Sequence, residues 1–515
     1  MNVTKNKNMI RYLILNVILF VGFQPVFSQG WTGTIKIELG SEEKVFEYVN
    51  DHCAELDLPD VYAHPIRFPN GIMLVSGNAP VNYFMFGEDF NSLKRSCDPV
   101  LISGDRWEVD SFDHQEWITS VYSEDGDTIH ALVHNEYHDP YSTKCKPGIT
   151  DPSNPCWYNF ISYAKSTDGG RTFTQPASPN HLVAMLPFKW NPDAAPQRIP
   201  PPHGYFEPSN IVKYNEYYYC MMFGVVSNTD QTMRGTCIMR TNDLSSPGSW
   251  KIWNGQEFSI PLVNPYINPP GDSSEFLPAF VSNRTIEDLR GSLTWNTYLK
   301  QFILIGAGAY TVDSVLTCGF FLSRSDDLIN WSQPQLIRET ILGWSPCDRQ
   351  TPDQAARNII QEAYPSLIDH DAPDISFTSV DSTAYLYFMQ NMDNHTLGGW
   401  GYRRDLVRIP IKFIANFTHV DNDWNATNTT GLNLQSFPNP FNSSTTISWQ
   451  SGVSGHTTLV MYDIIGRKLI KVVDEFKHRG SYNMVLDGMD LPSGIYYCKL
   501  QVGIHNSTLK MIKIK

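Results

Sequence analysis

A polar turn signature recurs five times between residues 83 and 413, and it restricts the fold of this chain more than any other feature. In several copies an Asp or Asn stands three to eight residues before a Trp or Phe. The polar side chain can bond the backbone of its own turn while the aromatic ring packs beneath it. The copies are YFMFGEDFNSLKRS from Tyr83, YAKSTDGGRTFTQP from Tyr163, IMRTNDLSSPGSWKIW from Ile238, FLSRSDDLINWSQP from Phe321 and YRRDLVRIPIKF from Tyr402.

Each signature is preceded by an apolar strand, a polar turn and a second strand. These inner units begin at Val61, Trp117, Ser209, Gly291 and Tyr364. Five inner units with five outer signatures predict an all-β, five-bladed β-propeller over residues 31–415. The strand GTIKIELG from Gly33 is predicted to pair with the last blade and close the ring. The stretch PDQAARNIIQEAYPS from Pro352 is predicted to be a helix on the rim.

Composition agrees with many short strands and with aromatic-lined clefts. The 515 residues include 27 Phe, 25 Tyr and 13 Trp, while charged residues make up only 18%. Such a mixture suits turns and aromatic-lined clefts that stack on sugar rings. The formal net charge is −14, which argues against nucleic acid or an anionic membrane surface as a partner.

The first 28 residues have the pattern of an export signal. Lys5, Lys7 and Arg11 precede an apolar run from Tyr12 to Phe23, and small residues lead to a cleavage site after Ser28. That run is too short to span a bilayer, and no later segment qualifies. We therefore expect an exported protein without a membrane span.

Nine cysteines in an exported chain make disulfides plausible. The predicted pairs are Cys145 with Cys156 across a Pro/Gly-rich loop, Cys220 with Cys237 on consecutive strands, Cys318 with Cys347, and Cys53 with Cys97, which leaves Cys498 single. No CxxC or His-rich spacing indicates zinc or a redox site.

A change of composition marks a second domain. Residues 416–433 are polar and poor in aliphatic side chains, which predicts a linker. Residues 434–515 then contain about seven short alternating strands, from TTISWQ to LKMIKIK, which predict a small Ig-like β-sandwich.

The motifs of this second domain resemble a known family. NLQSFPNPFNSSTTISW, VMYDIIGRKLIKVV, LPSGIYYCKLQVG and the closing KMIKI are similar to the C-terminal sorting domain (type A) of the type IX secretion system of Bacteroidota. The resemblance implies the secretion machinery as a partner of residues 434–515. It also implies export through the outer membrane, followed by surface attachment or release. The plainer alternative is an ordinary Ig-like binding module.

In the large domain, the stretch PPHGYFEPSNIVKYNEYYYCMMF from Pro201 is the most informative for chemistry. It reads as a loop, a strand, a turn at Asn215 and Glu216, and a second strand. Glu207 stands between Phe206 and Pro208, just before the first strand. A carboxyl group crowded by apolar neighbours tends to keep its proton, as a general acid must. The alternative is a turn residue that caps its strand.

The blade pattern resembles the five-bladed propeller glycosidases of the arabinanase and β-xylosidase-like group and, more distantly, the sialidases. In that group a base Asp, a tuning Asp and an acid Glu come from the starts of the first three inner strands. The matching positions here are Asp60, Asp113 and Glu207. Glu207 matches best. Asp60 is followed by Val61 where the group has Pro, and Asp57 competes with it. For Asp60 and Asp113 the alternative is capping of a strand start.

Further residues are predicted to line the mouth of the ring and to bind substrate. They are His114, Glu116, Trp117, His134, Glu136, His203 and Tyr364, with His138 and Arg67 as additional candidates. The HNEYH run suggests a metal site, but histidines four apart share a metal readily only on a helix. We therefore expect neither a catalytic metal nor a cofactor, and only a structural Ca²⁺ in the propeller channel stays open.

Two hypotheses follow from the sequence. The first is an exported glycoside hydrolase that acts on an extracellular poly- or oligosaccharide by carboxylate acid/base catalysis. The second is a non-catalytic surface propeller that binds glycan or protein. A sialidase ranks third. STDGGRTF from Ser166 fits a turn motif seen in sialidases, but such an enzyme also needs a Tyr–Glu nucleophile pair and an arginine cluster. Arg67, Arg198 and Arg234 are candidates for that cluster, yet the count of five blades argues against a sialidase.

Overall fold

Antiparallel β-strands make up most of the regular structure in a computed structural model of the chain. It describes residues 35–139, 157–191, 203–227, 232–343, 346–347, 351–357, 359–392, 401–415, 432–451, 455–464, 466–489, 491–502 and 505–514. The predicted signal segment, the predicted linker between 416 and 431, the pair Cys145 and Cys156, and Arg198 lie outside these ranges. The chain divides into two compact units, residues 1–417 and 418–515.

The first unit is the five-bladed β-propeller that the sequence predicts. The chain begins with β1 (Ile35–Leu39), β2 (Glu43–Phe46) and a short helix α1 (Tyr48–Asp51). Blade 1 contains β3 (His64–Phe68), β4 (Gly71–Val75), β6 (Met85–Gly87) and β7 (Lys94–Arg95), with a side ribbon of β5 (Val81–Asn82) and β8 (Leu101–Ile102). Blade 2 contains β9 (Glu116–Tyr122), β10 (Ile129–His138), β11 (Trp157–Ser166) and β12 (Leu182–Ala184).

Blade 3 has a divided inner strand. β13 (His203–Phe206) and β14 (Val212–Tyr214) both pair with β15 (Tyr217–Ser227), and β16 (Thr232–Thr241), β17 (Lys251–Trp253) and β18 (Phe258–Pro261) follow outward. Blade 4 contains β19 (Ser292–Asn296), β20 (Gln301–Val312), β21 (Val315–Ser325) and β22 (Gln335–Glu339).

Blade 5 is closed by the first strand of the chain. It contains β23 (Glu362–Ile368), β25 (Thr383–Asn391) and β26 (Arg404–Ala415), while β24 (Ser379–Val380) pairs with β19 of blade 4. β1 pairs antiparallel with β26, from Ile35 opposite Ala415 to Leu39 opposite Ile411. This pairing confirms the predicted closure of the ring.

Helices are few and short in the described chain. α2 (Pro352–Ala356) is capped by the side chain of Thr351, and 3₁₀ turns cover Val109–Ser111, Pro247–Ser249, Ser273–Phe276 and Val281–Arg284. Of the stretch PDQAARNIIQEAYPS, which the sequence predicts to be a helix, only the first part is helical. From Glu362 onward the same stretch forms β23, which pairs with β25 of blade 5. Within the described residues, none of the helices has the length and apolarity needed to cross a membrane.

Five apolar clusters hold the ring together, one between each pair of neighbouring blades. The alternation of side chains along a strand explains how one strand serves two clusters. On β10, Leu132 packs toward blade 3 while the next residue, Val133, packs toward blade 1. The wedge between blades 5 and 1 joins Tyr387 to Leu74. This last cluster shows that the ring closes after five blades.

The outer turns have the structure that their sequence signature predicts. In blade 2 the carboxylate of Asp168 accepts bonds from the Ser166 hydroxyl and from the backbone N–H groups of Arg171 and Thr172. Asp327 does the same in blade 4, with the N–H groups of Ile329 and Asn330. The aromatic residues that follow, Phe173, Trp250 and Trp331, are buried.

The second unit is a β-sandwich, as predicted. One sheet contains β27 (Leu432–Phe437), β28 (Ser444–Ser451) and β31 (Gly480–Asp487). The other contains β29 (Gly455–Asp463), β30 (Lys468–Lys477), β32 (Gly494–Val502) and β33 (His505–Lys513). Their inner faces form one core, which includes Trp449 and Leu459.

The disulfide predictions are confirmed in two cases and wrong in one. Cys53 is bonded to Cys97, and Cys318 to Cys347. Cys220 and Cys237 are free and buried, as is Cys498. In the β15–β16 register Cys220 lies opposite Met239 and Cys237 opposite Met222. Such diagonal neighbours are about 7–8 Å apart, which exceeds the usual Cα separation of a disulfide.

Candidate active site

The inner strands of all blades start at one end of the ring, which we call the mouth. Because neighbouring strands are antiparallel, the mouth also receives the end of the second strand and the start of the third strand of each blade. Six residues meet there: Asp60, Tyr62, Glu207, Arg290, Tyr364 and Arg404. We call them the mouth cluster. They come from blades 1, 3, 4 and 5.

Asp60 is held by two residues of blade 5. Its Oδ1 accepts a hydrogen bond from the Tyr364 hydroxyl at 3.0 Å and an ion-paired hydrogen bond from Arg404. Burial raises the pKa of Asp60; Arg404 and the Tyr364 hydroxyl oppose that rise, and the nearby negative charge of Glu136 adds to it. The carboxylate therefore lies in a site where its charge is costly but well paired.

Glu207 is paired with an arginine of blade 4. It follows β13, in the gap that divides the inner strand of blade 3. Its Oε2 accepts from Nε of Arg290 at 2.9 Å and from Nη2 at 2.8 Å. The guanidinium also lies over the ring of Phe223, 4.7 Å from its centroid. The described contacts of Glu207 with Arg290 use only one carboxylate oxygen.

Tyr364 connects the two carboxylates. Burial raises its pKa well above the ordinary value, and the negative charges of Asp60 and Glu207 raise it further. Its ring meets that of Tyr62 edge to face at 5.5 Å. Tyr62 in turn fits against Gly291, where a Cβ atom would stand 2.0 Å from the tyrosine ring. The two carboxylates therefore act on a common tyrosine.

The backbone is strained at both Glu207 and Tyr364. Glu207 has φ 40° and Tyr364 has φ 57°, in the left-handed region that disfavours side chains. Tyr364 also lies where the pairing of β23 with β25 shifts register between Ala363 and Ser366. Such a conformation costs on the order of 1–3 kcal/mol per residue and concentrates at functional sites. Two of the six residues of the mouth cluster thus have a strained backbone.

Glu136 joins the mouth from the end of β10. Its Oε2 lies 3.0 Å from Nε2 of His138, and its charge acts on Asp60. His134, from the same HNEYH run, is buried between the rings of Trp117 and Phe206 and contacts Asn159 at 3.2 Å. Among the residues that the structure describes, no group of three or more His, Cys, Asp or Glu is arranged to hold a metal ion.

The structure does not bring Asp113 to Asp60 and Glu207. Its carboxylate accepts from the Ser111 hydroxyl at 2.6 Å and from Nε of Arg106 at 2.7 Å, within its own loop. Asp57, the competitor of Asp60, is buried in a pair with Arg95 at 3.2 Å. The carboxylate whose negative charge acts on Asp60 is that of Glu136.

The other predicted substrate-binding residues contact groups outside the mouth cluster. Glu116 is buried and accepts from the Gln175 amide at 2.7 Å, while burial raises its pKa to about 7. Trp117 donates to Asn78 at 2.9 Å, and His203 packs against the ring of Trp190. His114 contacts the backbone oxygen of Glu136 at 2.9 Å. Of the predicted set, Glu136 and Tyr364 contact or act on the carboxylates directly.

The arginines of the site were not found from the sequence. Arg290 and Arg404 each stand just before or at the start of an apolar strand, in DLRGSLTW and RRDLV. A charged residue beside the start of an apolar strand is the available signal. The arginines considered instead do different things: Arg67 lies over Phe377, and Arg234 pairs with Glu287 at 2.7 Å.

A cleft of about 490 Å³ lies elsewhere, on blade 5, and includes Glu38, His370, Tyr385 and Lys412. His370 in that cleft is stacked between Phe90 and Tyr385, at 3.9 and 4.0 Å. Its aromatic faces are therefore occupied by the protein. The mouth cluster, in contrast, combines a strained backbone with charged pairs.

Comparison with known proteins identifies the second unit. Residues 435–515 match the family of secretion system C-terminal sorting domains. The resemblance seen in its motifs is confirmed, and the protein is exported, to be released or kept at the cell surface. No curated protein matches the sequence.

Solved structures similar to the chain include three propeller proteins. A glycosyl hydrolase from Bacteroides ovatus is 10% identical, with 72% of this chain and 94% of that chain covered and a TM-score of 0.37. An exo-inulinase from Aspergillus awamori is 10% identical, with 91% and 94% covered and a TM-score of 0.37. An endo-arabinase from Bacteroides thetaiotaomicron is 11% identical, with 72% and 92% covered and a TM-score of 0.29. Similarity this low leaves the chemistry to be inferred from the residues of the mouth.

Proposed function

We propose that this protein is an exported glycoside hydrolase that cleaves an extracellular poly- or oligosaccharide by carboxylate acid/base catalysis. Glu207 is the general acid and Asp60 the general base. The observation that carries the proposal is that Asp60 of blade 1 and Glu207 of blade 3 both act on Tyr364 at the mouth. Asp60 accepts a hydrogen bond from the Tyr364 hydroxyl, and the charges of both carboxylates raise the pKa of Tyr364. Hydrolysis of a glycoside needs two such carboxyl groups on either side of the scissile bond.

Both carboxylates accept from an arginine, and the proposal gives them different roles. Arg404 and Tyr364 both donate to Asp60, which favours the ionised form that activates water. Arg290 donates twice to Oε2 of Glu207, and in the proposed reaction Oε1 is the oxygen that delivers the proton to the leaving group. Glu136, whose charge reaches Asp60, takes the tuning role that the sequence suggested for Asp113.

The test is hydrolysis of a panel of aryl glycosides and soluble polysaccharides. Glu207→Gln and Asp60→Asn should each lower kcat/KM about 10²–10⁴-fold, which is the typical contribution of a proton-transfer group. Asp113→Asn is the matched control, because that carboxylate lies within its own loop, and it should retain activity within a few-fold. Full activity of Glu207→Gln, with an unchanged thermal melt, would refute the assignment.

A second candidate function is a non-catalytic surface propeller that binds glycan or protein. The observation that favours it is the occupation of both carboxylates by arginine. Under this alternative the wild-type protein binds members of the panel without turnover, and Glu207→Gln weakens that binding. Product release by the wild-type protein decides between the two functions.

A further inference from the structure

An aromatic ridge runs along the blade 2 side of the mouth, and the proposed chemistry does not use it. It consists of the rings of Trp107, His114, His138 and Trp157. Trp107 lies 4.6 Å from His114, His114 lies 6.0 Å from His138, and His138 stacks on Trp157 at 5.3 Å with an interplanar angle of 25°. We call this set the rim ridge.

The ridge presents two aromatic side chains to solvent. Trp107 is 46% exposed, and the side chain of His138 is 44% exposed. A tryptophan costs much to leave in water, since it carries a large apolar ring. The loop before β9 nevertheless holds Trp107 outward, although its base rests on the buried His114. An exposed ring in a fixed position is suited to stack on a flat apolar surface.

Polar groups beside the ridge are arranged to bond hydroxyl groups. Asp105, whose side chain is 46% exposed, contacts Nε2 of His114 at 3.3 Å and accepts from the Gln115 amide at 3.3 Å. Both Asp105 (φ 52°) and Gln115 (φ 48°) have strained backbones. A flat ring next to planar polar side chains complements a sugar, which has an apolar C–H face and a rim of hydroxyls.

The ridge is continuous with the mouth cluster. The backbone oxygen of Glu136 contacts His114 at 2.9 Å, and its carboxylate contacts His138 at 3.0 Å. The same carboxylate acts on Asp60. A chain of sugars with one glycosidic bond at Asp60 and Glu207 therefore has its next units beside the ridge.

We propose that the rim ridge is a distal sugar subsite that stacks on units of a polysaccharide beyond the bond to be cleaved. This inference rests on the proposed function for the position of the cleaved bond, but the stacking itself does not require turnover. The substrate class is then a polymer that fills several subsites, in contrast to a single terminal sugar with a small leaving group.

Binding is tested first, without any need for catalysis. The purified full chain is run on native gels that contain soluble arabinan, xylan, laminarin or pectin. We expect at least one polymer to retard the wild-type protein, and Trp107→Ala to lower that affinity about tenfold, as stacking contacts typically do. Trp107→Phe should give an intermediate loss because it keeps a ring. Tyr298→Ala is the control. Tyr298 is an exposed residue of the turn between β19 and β20, at the end of blade 4 opposite the mouth.

Turnover then separates this inference from the proposed function. For Trp107→Ala, the fold loss of kcat/KM should be about ten times larger on a polymer that retards the wild-type protein than on an aryl glycoside. Only the polymer is long enough to reach the rim ridge. An equal loss on both substrates, equal retardation of Trp107→Ala and wild type, or no retardation of the wild type by any polymer would overturn the ridge. If no substrate is hydrolysed but retardation by a polymer depends on Trp107, the proposed function is overturned while sugar binding at the rim ridge is supported.

Discussion

The propeller holds two sets of carboxylates that differ in where their partners come from. In the outer turns, Asp168 and Asp327 bond groups two to four residues away in sequence. At the mouth, the partners of Asp60 are 304 and 344 residues away, and the arginine of Glu207 is 83 residues away. The outer set stabilises each blade alone. The mouth set exists only once the blades have assembled.

The electrostatics differ in the same way. Partial burial works against the charge of Asp168, but its hydroxyl and backbone donors hold the pKa below the ordinary value. Burial of Asp60 outweighs its donors, and its pKa is raised. The charge of an outer-turn carboxylate is thus stabilised by donors close to it in sequence, whereas the charge of a mouth carboxylate is stabilised by an arginine distant in sequence. Loss of one partner should therefore have a larger effect at the mouth.

The largest effect is expected for Arg404→Met. It leaves the buried Asp60 without its ion pair, and breaking a buried pair costs about 3–5 kcal/mol. Urea unfolding of the propeller transition measures the loss. Arg234→Met is the matched control, because its pair with Glu287 is largely exposed on the arginine side and such pairs contribute about 0–1 kcal/mol. Equal losses for both variants would remove the distinction between the two sets.

A second prediction concerns Glu116, which lies near the mouth but bonds an amide and a backbone N–H in place of an arginine. Burial raises its pKa from 4.5 to about 7. The folded chain therefore keeps a proton that the unfolded chain releases above about pH 4.5. Its contribution to stability falls as pH rises from 4.5 to 7, by about 3 kcal/mol in all.

Glu116→Gln should remove this fall, since glutamine does not ionise and resembles the protonated acid. Relative to the wild type, the unfolding free energy of the variant should rise by about 3 kcal/mol between pH 4.5 and pH 7.5. Denaturant curves at several pH values measure the difference. Glu275→Gln, at an exposed site, controls for loss of a charge. Parallel curves for Glu116→Gln and wild type would contradict the prediction.

The smallest effect is expected in the outer turns. Asp168→Ala removes a carboxylate that accepts from Ser166, Arg171 and Thr172, at a cost of about 2 kcal/mol. Hydrolysis, measured on the same sample, should not change, because this turn is on the outer side of the blade. Asp127→Ala, in another exposed turn, is the control and should cost less. A large loss of activity in Asp168→Ala would connect the outer turns to the mouth.

The same comparison explains what could be predicted from the sequence. Outer turns, inner strands and the closing strand β1 follow from local patterns, and so do the strand-start positions of Asp60 and Glu207. Arg290 and Arg404 do not, because which blade faces which carboxylate depends on the finished ring. Asp113 fits the strand-start pattern, yet Ser111 and Arg106 of its own loop bind it. The predicted disulfide between Cys220 and Cys237 is wrong for a similar reason. In the pairing of β15 with β16 the two cysteines are offset by two positions, and local sequence does not determine that register.

The pairing of β1 with β26 has a consequence for how the protein matures. It joins Ile35 to Ala415, and loop-closure entropy makes such distant contacts slow to form. The same seam brings Asp60 of blade 1 to Tyr364 and Arg404 of blade 5. A chain halted before the seam forms can still pair Glu207 with Arg290 of the neighbouring blade, but Asp60 lacks its partners from blade 5. The complete set of mouth contacts is therefore a property of the closed ring, so the proposed hydrolysis would report completion of the fold.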